Sequence, residues 1–251
     1  MSPLRKLAVA MIGARAIGEG ADLLVAAGTE LGLPIIGALD DMSRLEPLCD
    51  ENGARLADRF GWPKDFVDRW VEKAYTLTNP VFIQSRFSHL PFVWMLDDAA
   101  QATDGEVRTT RRVADGLASI GIAGGLAVPV RLTYGRIGGV HWWGRKSRAE
   151  LQALLDAHGP DLFVLANYFF ALFPRRPATT PEDLASLTMR EVECLTLAAS
   201  GSSDVEIGRA LHLSQHTVRF HIDNAADKLG ARTRTHAIAL AAQLGVIGKA
   251  G

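Results

Sequence analysis

The chain has 251 residues, 27 Lys and Arg against 28 Asp and Glu, a formal net charge of −1 and a hydrophobic fraction of 48%. That composition buries one or two cores and excludes a disordered chain, and the lack of excess positive charge excludes binding to nucleic acid through an overall basic field, so any such affinity comes from a local patch. Cys49 and Cys194 stand far apart and outside any ligand motif, which excludes a disulfide framework or zinc site read from spacing and fits a reducing compartment, the cytoplasm.

Arg5 and Lys6 followed by the apolar residues 7–14 superficially resemble a signal peptide. The run is short, however, and its apolar spacing continues past Glu19 and Asp22 into Leu23 and Leu24, which predicts one amphipathic helix over 4–32. No apolar stretch reaches the ~18 residues that span a bilayer, so no membrane partner is expected. Pro34 stops the helix, and residues 35–39 read as a short strand ending at Asp40 and Asp41. A second helix is expected over 63–77, opened by Pro63 and ended by Asn79 and Pro80. Residues 104–116 read as polar helix or loop, 122–132 and 134–143 as the strands of an antiparallel hairpin, and 148–173 as a long helix. Pro174, Pro177 and Pro181 mark a linker. The expected fold class is α+β: an N-terminal α-β-α sandwich with an antiparallel sheet over 1–173, a linker at 174–186, and an all-α four-helix domain with a helix-turn-helix over 187–251.

The last segment carries the clearest local signals. Thr188 with Glu191 and Ser203 with Glu206 form capping boxes, Ser214 caps a third helix, and a fourth begins around 233–235. In the third helix Val218, Ile222, Ala225 and Leu229 fall on one stripe, while Gln215, His216, Arg219 and Asp223 fall on the other face. Such a helix fits the major groove of double-stranded DNA: Arg219 pairs with a guanine edge, Asp223 accepts from cytosine, and Gln215 reads adenine. Ser203, Thr217, His221, Lys228, Arg232 and Arg234 are expected at phosphates. A solvated polar face on a small bundle is the plainer account, and the full set of caps and turns outweighs it. His212, His216 and His221 straddle the turn, which makes them DNA-face residues before metal ligands.

The residues Leu187, Thr188 and Glu191, then Gly201 through Ile207, Leu211 to Ser214, Thr217-Val218, His221, Asn224, Lys228 to Gly230, Arg234 to Ala237 and Gly245 to Ile247 resemble the LuxR-type DNA-binding domain throughout. The resemblance implies that the fourth helix joins two modules in a homodimer on a roughly palindromic site, with 219 and 223 at base edges. Ile238 and Leu244 are the apolar positions expected to serve that contact. Asp204 stands where the family usually has asparagine, a change expected to be tolerated.

Three readings compete for the first domain. Asp40 and Asp41 after a strand suggest a phosphorylated receiver, but a five-strand βα alternation is missing. An enzyme is disfavoured because no G-x-S-x-G elbow, Walker loop or metal-ligand cluster occurs, and no catalytic residue or cofactor is expected; the glycine-rich residues 13–20 sit inside a helical pattern with no strand before them. The third reading rests on Gly61-Trp62-Pro63, Phe66, Trp70, Tyr75, Asn79-Pro80-Val81, Pro91 to Trp94, Gly121, Gly125 and Pro129, which resemble the autoinducer-binding domain of acyl-homoserine-lactone receptors. That resemblance implies an enclosed pocket lined by Trp62, Phe66, Trp70, Tyr75, Asn79 and Trp94, with His141 as a further polar contact. Where the family has a tryptophan donor this chain has Phe66, and where it has an aspartate acceptor this chain has Asn79. The implied ligand is therefore a small hydrophobic or aromatic signal other than an ordinary acyl-homoserine lactone, or none, with the indoles of Trp62 and Trp70 partly replacing the lost donor.

Overall fold

Ser2 accepts from the Arg5 N–H at 3.2 Å and Pro3, which has no N–H, fills the first turn, so α1 (Pro3–Gly13) begins with fewer orphan donors. The computed structural model describes residues 1–44, 46–72, 79–99, 114–173, 184 and 186–248. The helix expected over 4–32 is broken: Ala14 leaves the helical region and α2 runs from Ile17 to Leu31 (Ile17–Leu31). The apolar spacing crosses the break because both helices bury toward one core, so periodicity alone could not show it. Gly32, at φ 65°, closes α2.

The chain divides into two units, Met1–Leu132 with Ile137–Pro174, and Thr133–Arg136 with Arg175–Gly251. In the first, β1 (Ile35–Leu39), β2 (Phe92–Met95), β3 (Gly124–Arg131) and β4 (Ile137–Gly144) make a sheet of order β1-β4-β3-β2. Every pairing is antiparallel, with Gly37 and Ala127 both opposite His141 and Gly125 opposite both Trp94 and Trp143. Of the hairpin strands, β3 is shorter at both ends than expected while β4 begins later and runs one residue further, and β2, quoted in the sequence only as part of a resemblance, is the other edge of the sheet.

Alternation sorts the strand residues between two faces. Ile36, Leu126, Val128, Val140 and Trp142 join α1, α2 and the long helix α7 (Arg148–Ala171) in one core. Trp142 also donates its indole N–H to the Leu24 carbonyl at 3.1 Å, tying the sheet to α2. The opposite face presents Trp94, Ala127 and Trp143 to a second cluster with Phe66, Val81, Phe82 and Leu117. Between β1 and β2 lie α3 (Leu56–Arg59), α4 (Lys64–Glu72) and α5 (Pro80–Phe87). After β2 comes α6 (Leu96–Ala99), and residues 114–119 are helical. The expected sandwich is present.

Two expectations change here. Asn79 and Pro80 do not merely end a helix: Asn79 caps α5, its Oδ1 accepting from the Val81 N–H at 3.0 Å, and Pro80 sits in the first turn. Most of the expected 104–116 segment, the end of the 63–77 helix with Tyr75, and most of the 174–186 linker lie outside the described residues.

The second unit holds α8 (Met189–Ala199), α9 (Asp204–Leu211), α10 (Gln215–Lys228) and α11 (Arg234–Gln243) around Leu195, Ile207, Val218, Ile222, Ala225 and Ala237. Both expected capping boxes form, Thr188 with Glu191 and Ser203 with Glu206, and Ser214 accepts from the Thr217 N–H at 3.0 Å. The turn joining α9 to α10 is tight. His212 takes a left-handed conformation at φ 56°, and a Cβ on Gly208 would lie 2.7 Å from the Leu213 carbonyl, so only glycine fits there.

Candidate functional site

The first candidate site is the outer face of α10. Val218, Ile222, Ala225 and Leu229 are buried, which turns Gln215, His216, Arg219 and Asp223 outward and exposed, the expected outer-face set of which Gln215, Arg219 and Asp223 were to read bases. Arg219 keeps 67% of its side chain exposed, its guanidinium 3.7 Å from the Asp204 carboxylate. Thr217 and His221 are half-buried at the rim, with the Thr217 hydroxyl 2.7 Å from that of Ser214. Ser203 is engaged in its capping box, and Arg232 is exposed.

Two expected phosphate ligands are engaged inside the unit instead. The Lys228 ammonium donates to both carboxylate oxygens of Glu191 and to the Ser186 carbonyl, which uses its three N–H groups. Arg234 is bonded to Asp204, whose side chain is only 11% exposed. Asp204 is thus an anchor between the start of α9 and the start of α11, a role its substitution for asparagine did not suggest. Ile238 and Leu244, expected at a dimer contact, are half-buried and pack partly on their own core. Sequence reasoning also passed over Phe220, exposed between Arg219 and His221; the available signal was an apolar residue out of phase with the buried stripe.

The second candidate site is the aromatic cluster beneath the sheet. The Trp62 and Phe66 rings stack with centroids 5.3 Å apart, and Trp143 stands edge-on to Trp62 at 5.4 Å. Trp70 reaches Phe82 at 6.0 Å, Trp94 lies 5.7 Å from Trp143, and the His141 ring is 5.0 Å from Phe82 and 5.8 Å from Trp143. Trp143, the hub of this network, was not picked out from sequence because strand alternation alone does not say which face holds the site, and Phe82, on α5, carried no signal of its own.

A cavity of about 80 Å³ opens against the β1 edge, lined by Gly37, Leu39, Phe60, Trp62, Val67, Trp70, Phe82 and Trp143 among others. Of the expected ligand residues it touches Trp62 and Trp70, while Phe66, Asn79, Trp94 and His141, all buried, lie outside its lining. The Trp62 indole does not stand in for a lost donor, because it is already bonded to the Ile36 carbonyl at 2.5 Å.

The cluster also holds unsatisfied polarity. Among the described residues, Asn79 Nδ2, Trp94 Nε1 and both nitrogens of His141 are buried without a hydrogen bond, a concentration that native interiors ordinarily avoid. Burial pushes the His141 imidazole down to about 3, with the neighbouring Gly37 backbone pulling less strongly upward without meeting hydrogen-bond geometry. The ring is therefore neutral at pH 7, one nitrogen a donor and the other an acceptor. Asn79 Oδ1 accepts from the Val81 N–H in the helix cap, while the amide N–H groups are left unpaired.

Comparison with known proteins gives the setting for both sites. Residues 44–172 match the autoinducer binding domain family, and residues 185–241 match the bacterial regulatory proteins of the luxR family. The transcriptional activator protein BjaR1 of Bradyrhizobium diazoefficiens is 31% identical over 201 residues, covering 78% of this chain and 77% of that protein. The quorum sensing-dependent transcriptional regulator RpaR of Rhodopseudomonas palustris is 32% identical over 195 residues, covering 74% and 73%. Among solved structures, Escherichia coli SdiA matches with a TM-score of 0.58 over 98% of both chains at 18% identity, a likeness of fold.

Proposed function

Because the chain belongs to the LuxR family of bacterial transcription regulators, with an autoinducer-binding domain ahead of a LuxR-type helix-turn-helix, we propose that it reads paired half-sites in duplex DNA as a cytoplasmic homodimer under the control of a small hydrophobic signal other than an ordinary acyl-homoserine lactone. The observation that carries the ligand half is the state of Asn79. Its oxygen already accepts from the Val81 N–H and its Nδ2 is buried without a partner, so position 79 offers an unpaired donor and a neutral, partly engaged acceptor where an aspartate would offer a charged one. Phe66, buried in the same cluster, offers no polar atom. A ligand amide N–H loses at 79 the charge-assisted bond that a carboxylate supplies, and the Asn79 N–H groups stay unpaired, a buried donor costing about 1–3 kcal/mol.

The size of the cavity supports the same reading. Drug-sized ligands occupy roughly 300–1,000 Å³, well above the 80 Å³ that the rings leave, so occupancy displaces Trp62 or Trp70, the two half-buried indoles at its wall. Among the described residues no helix is long and apolar enough to cross a membrane. For the DNA half, the exposed set Gln215, His216, Arg219 and Asp223 on one face of α10 supports base reading in the major groove.

The test is calorimetric titration of the purified full chain with a panel of acyl-homoserine lactones, alongside mass spectrometry of whatever copurifies. Weak or absent lactone binding is expected. Tight lactone binding abolished by Asn79→Ala overturns the ligand assignment and leaves the DNA half standing.

A further inference from the structure

We propose that Phe220 reads DNA sequence directly, by packing its ring against the 5-methyl group of a thymine in the major groove. The inference rests on the reading that α10 enters that groove. On α10 the buried stripe passes through Val218, Ile222, Ala225 and Leu229, and Phe220 lies nearly opposite it, by the 100° per residue of an α-helix. One turn to either side along the same face stand His216 and Asp223, both exposed. Phe220 is itself 57% exposed, and its ring rests against that of His221 with centroids 5.9 Å apart. A single exposed apolar side chain means little by itself. Here, however, it borders His216 and Asp223 on the outer face of the helix that would enter the groove.

The charges on that face sharpen the argument. Arg219 is accompanied by Asp223 and Asp227, all three exposed, while Lys228 is spent on Glu191. With two carboxylates against one guanidinium, the face gains no net attraction from the phosphates, and part of its recognition has to come from contacts that carry no charge. The major-groove edges offer donors, acceptors and one apolar mark, the thymine methyl. A phenyl ring with two side-chain torsions meets that mark at little entropic cost.

Duplexes enriched by the full chain from a random library provide the probe. Each dT of the enriched site is replaced in turn by deoxyuridine, which deletes only the methyl, and affinity is read by fluorescence anisotropy. The wild type is expected to lose about threefold to tenfold at a position in each half-site, the scale of one buried methyl group. Phe220→Ala is expected to bind the dT and deoxyuridine duplexes equally, Phe220→Leu to keep most of the discrimination, and Arg219→Ala to weaken both duplexes while preserving their ratio. Far-UV circular dichroism and melting unchanged in Phe220→Ala separate contact from folding. The inference is overturned if deoxyuridine is neutral everywhere in an enriched site that Arg219→Ala weakens, or if the discrimination survives in Phe220→Ala. Failure to enrich any sequence overturns it together with the DNA reading on which it rests.

Discussion

Lys228 Nζ lies 2.9 and 2.8 Å from the two carboxylate oxygens of Glu191, closing α10 onto α8 through a carboxylate whose residue is only 3% exposed. Glu191 simultaneously completes the Thr188 capping box. Lys228→Met is expected to lower the stability of the C-terminal unit by about 1–3 kcal/mol, since it strands a buried charge that is only partly screened. All five tryptophans lie in the N-terminal unit. The loss should therefore be visible in far-UV circular dichroism melts and invisible to tryptophan fluorescence.

Burial alone would raise the Glu191 carboxyl. The Lys228 ammonium and the Thr188 backbone N–H outweigh it, and the group sits below the ordinary carboxylate range. A depressed carboxyl contributes stability that is present above the unfolded value near ~4.3 and is lost as pH falls through the lower folded value. The dichroism-detected unit should accordingly weaken as pH is taken from 5 toward 3, and Glu191→Gln should be less stable at pH 7 with a flatter acid limb.

His141 gives the N-terminal unit its own pH dependence. Its folded value of about 3 lies below the ordinary 6.5, so the unfolded chain takes up a proton that the folded chain refuses across that window. Stability is full above pH 6.5 and falls by up to about 1.4 kcal/mol per pH unit below it. Urea melts followed by tryptophan fluorescence at pH 7, 6, 5 and 4 should show the slope in the wild type and a smaller one in His141→Gln.

Trp143 touches Trp62, Trp70, Phe82, Trp94 and His141, so Trp143→Ala should cost about 3–5 kcal/mol in the same fluorescence-detected melts. Trp70, half-buried at the cavity wall, should cost less when cut to alanine and should enlarge the space open to a ligand. Equal losses for the two variants would show that the rings act as one rigid core with no movable wall.

On DNA, Arg219→Ala should lose about 1–3 kcal/mol of affinity at an enriched site with its melting temperature unchanged, because the side chain is largely solvent-exposed. Arg234→Ala should lose melting temperature as well, because its guanidinium is held by Asp204. Sedimentation should show a dimer on DNA, as paired half-sites require; a monomer at saturating DNA would remove that reading.

The C-terminal unit was legible from sequence because its determinants are local. Thr188 and Glu191, Ser203 and Glu206, and Ser214 each set a helix start through hydrogen bonds that span three residues, and the apolar stripe of α10 follows from helical period alone. The strands at 35–39 and around 124–144 were legible for similar reasons, whereas the aromatic residues of the first domain stood out only through their family resemblance. What only the tertiary structure decided depends on groups distant in the chain. The break between α1 and α2 leaves no trace in a period that both helices share. The commitment of the Trp62 indole to the Ile36 carbonyl, of Lys228 to Glu191 and of Arg234 to Asp204 joins residues 26 to 37 positions apart. A cation's or indole's residue type announces a donor, and only the folded chain determines whether that donor has already been used.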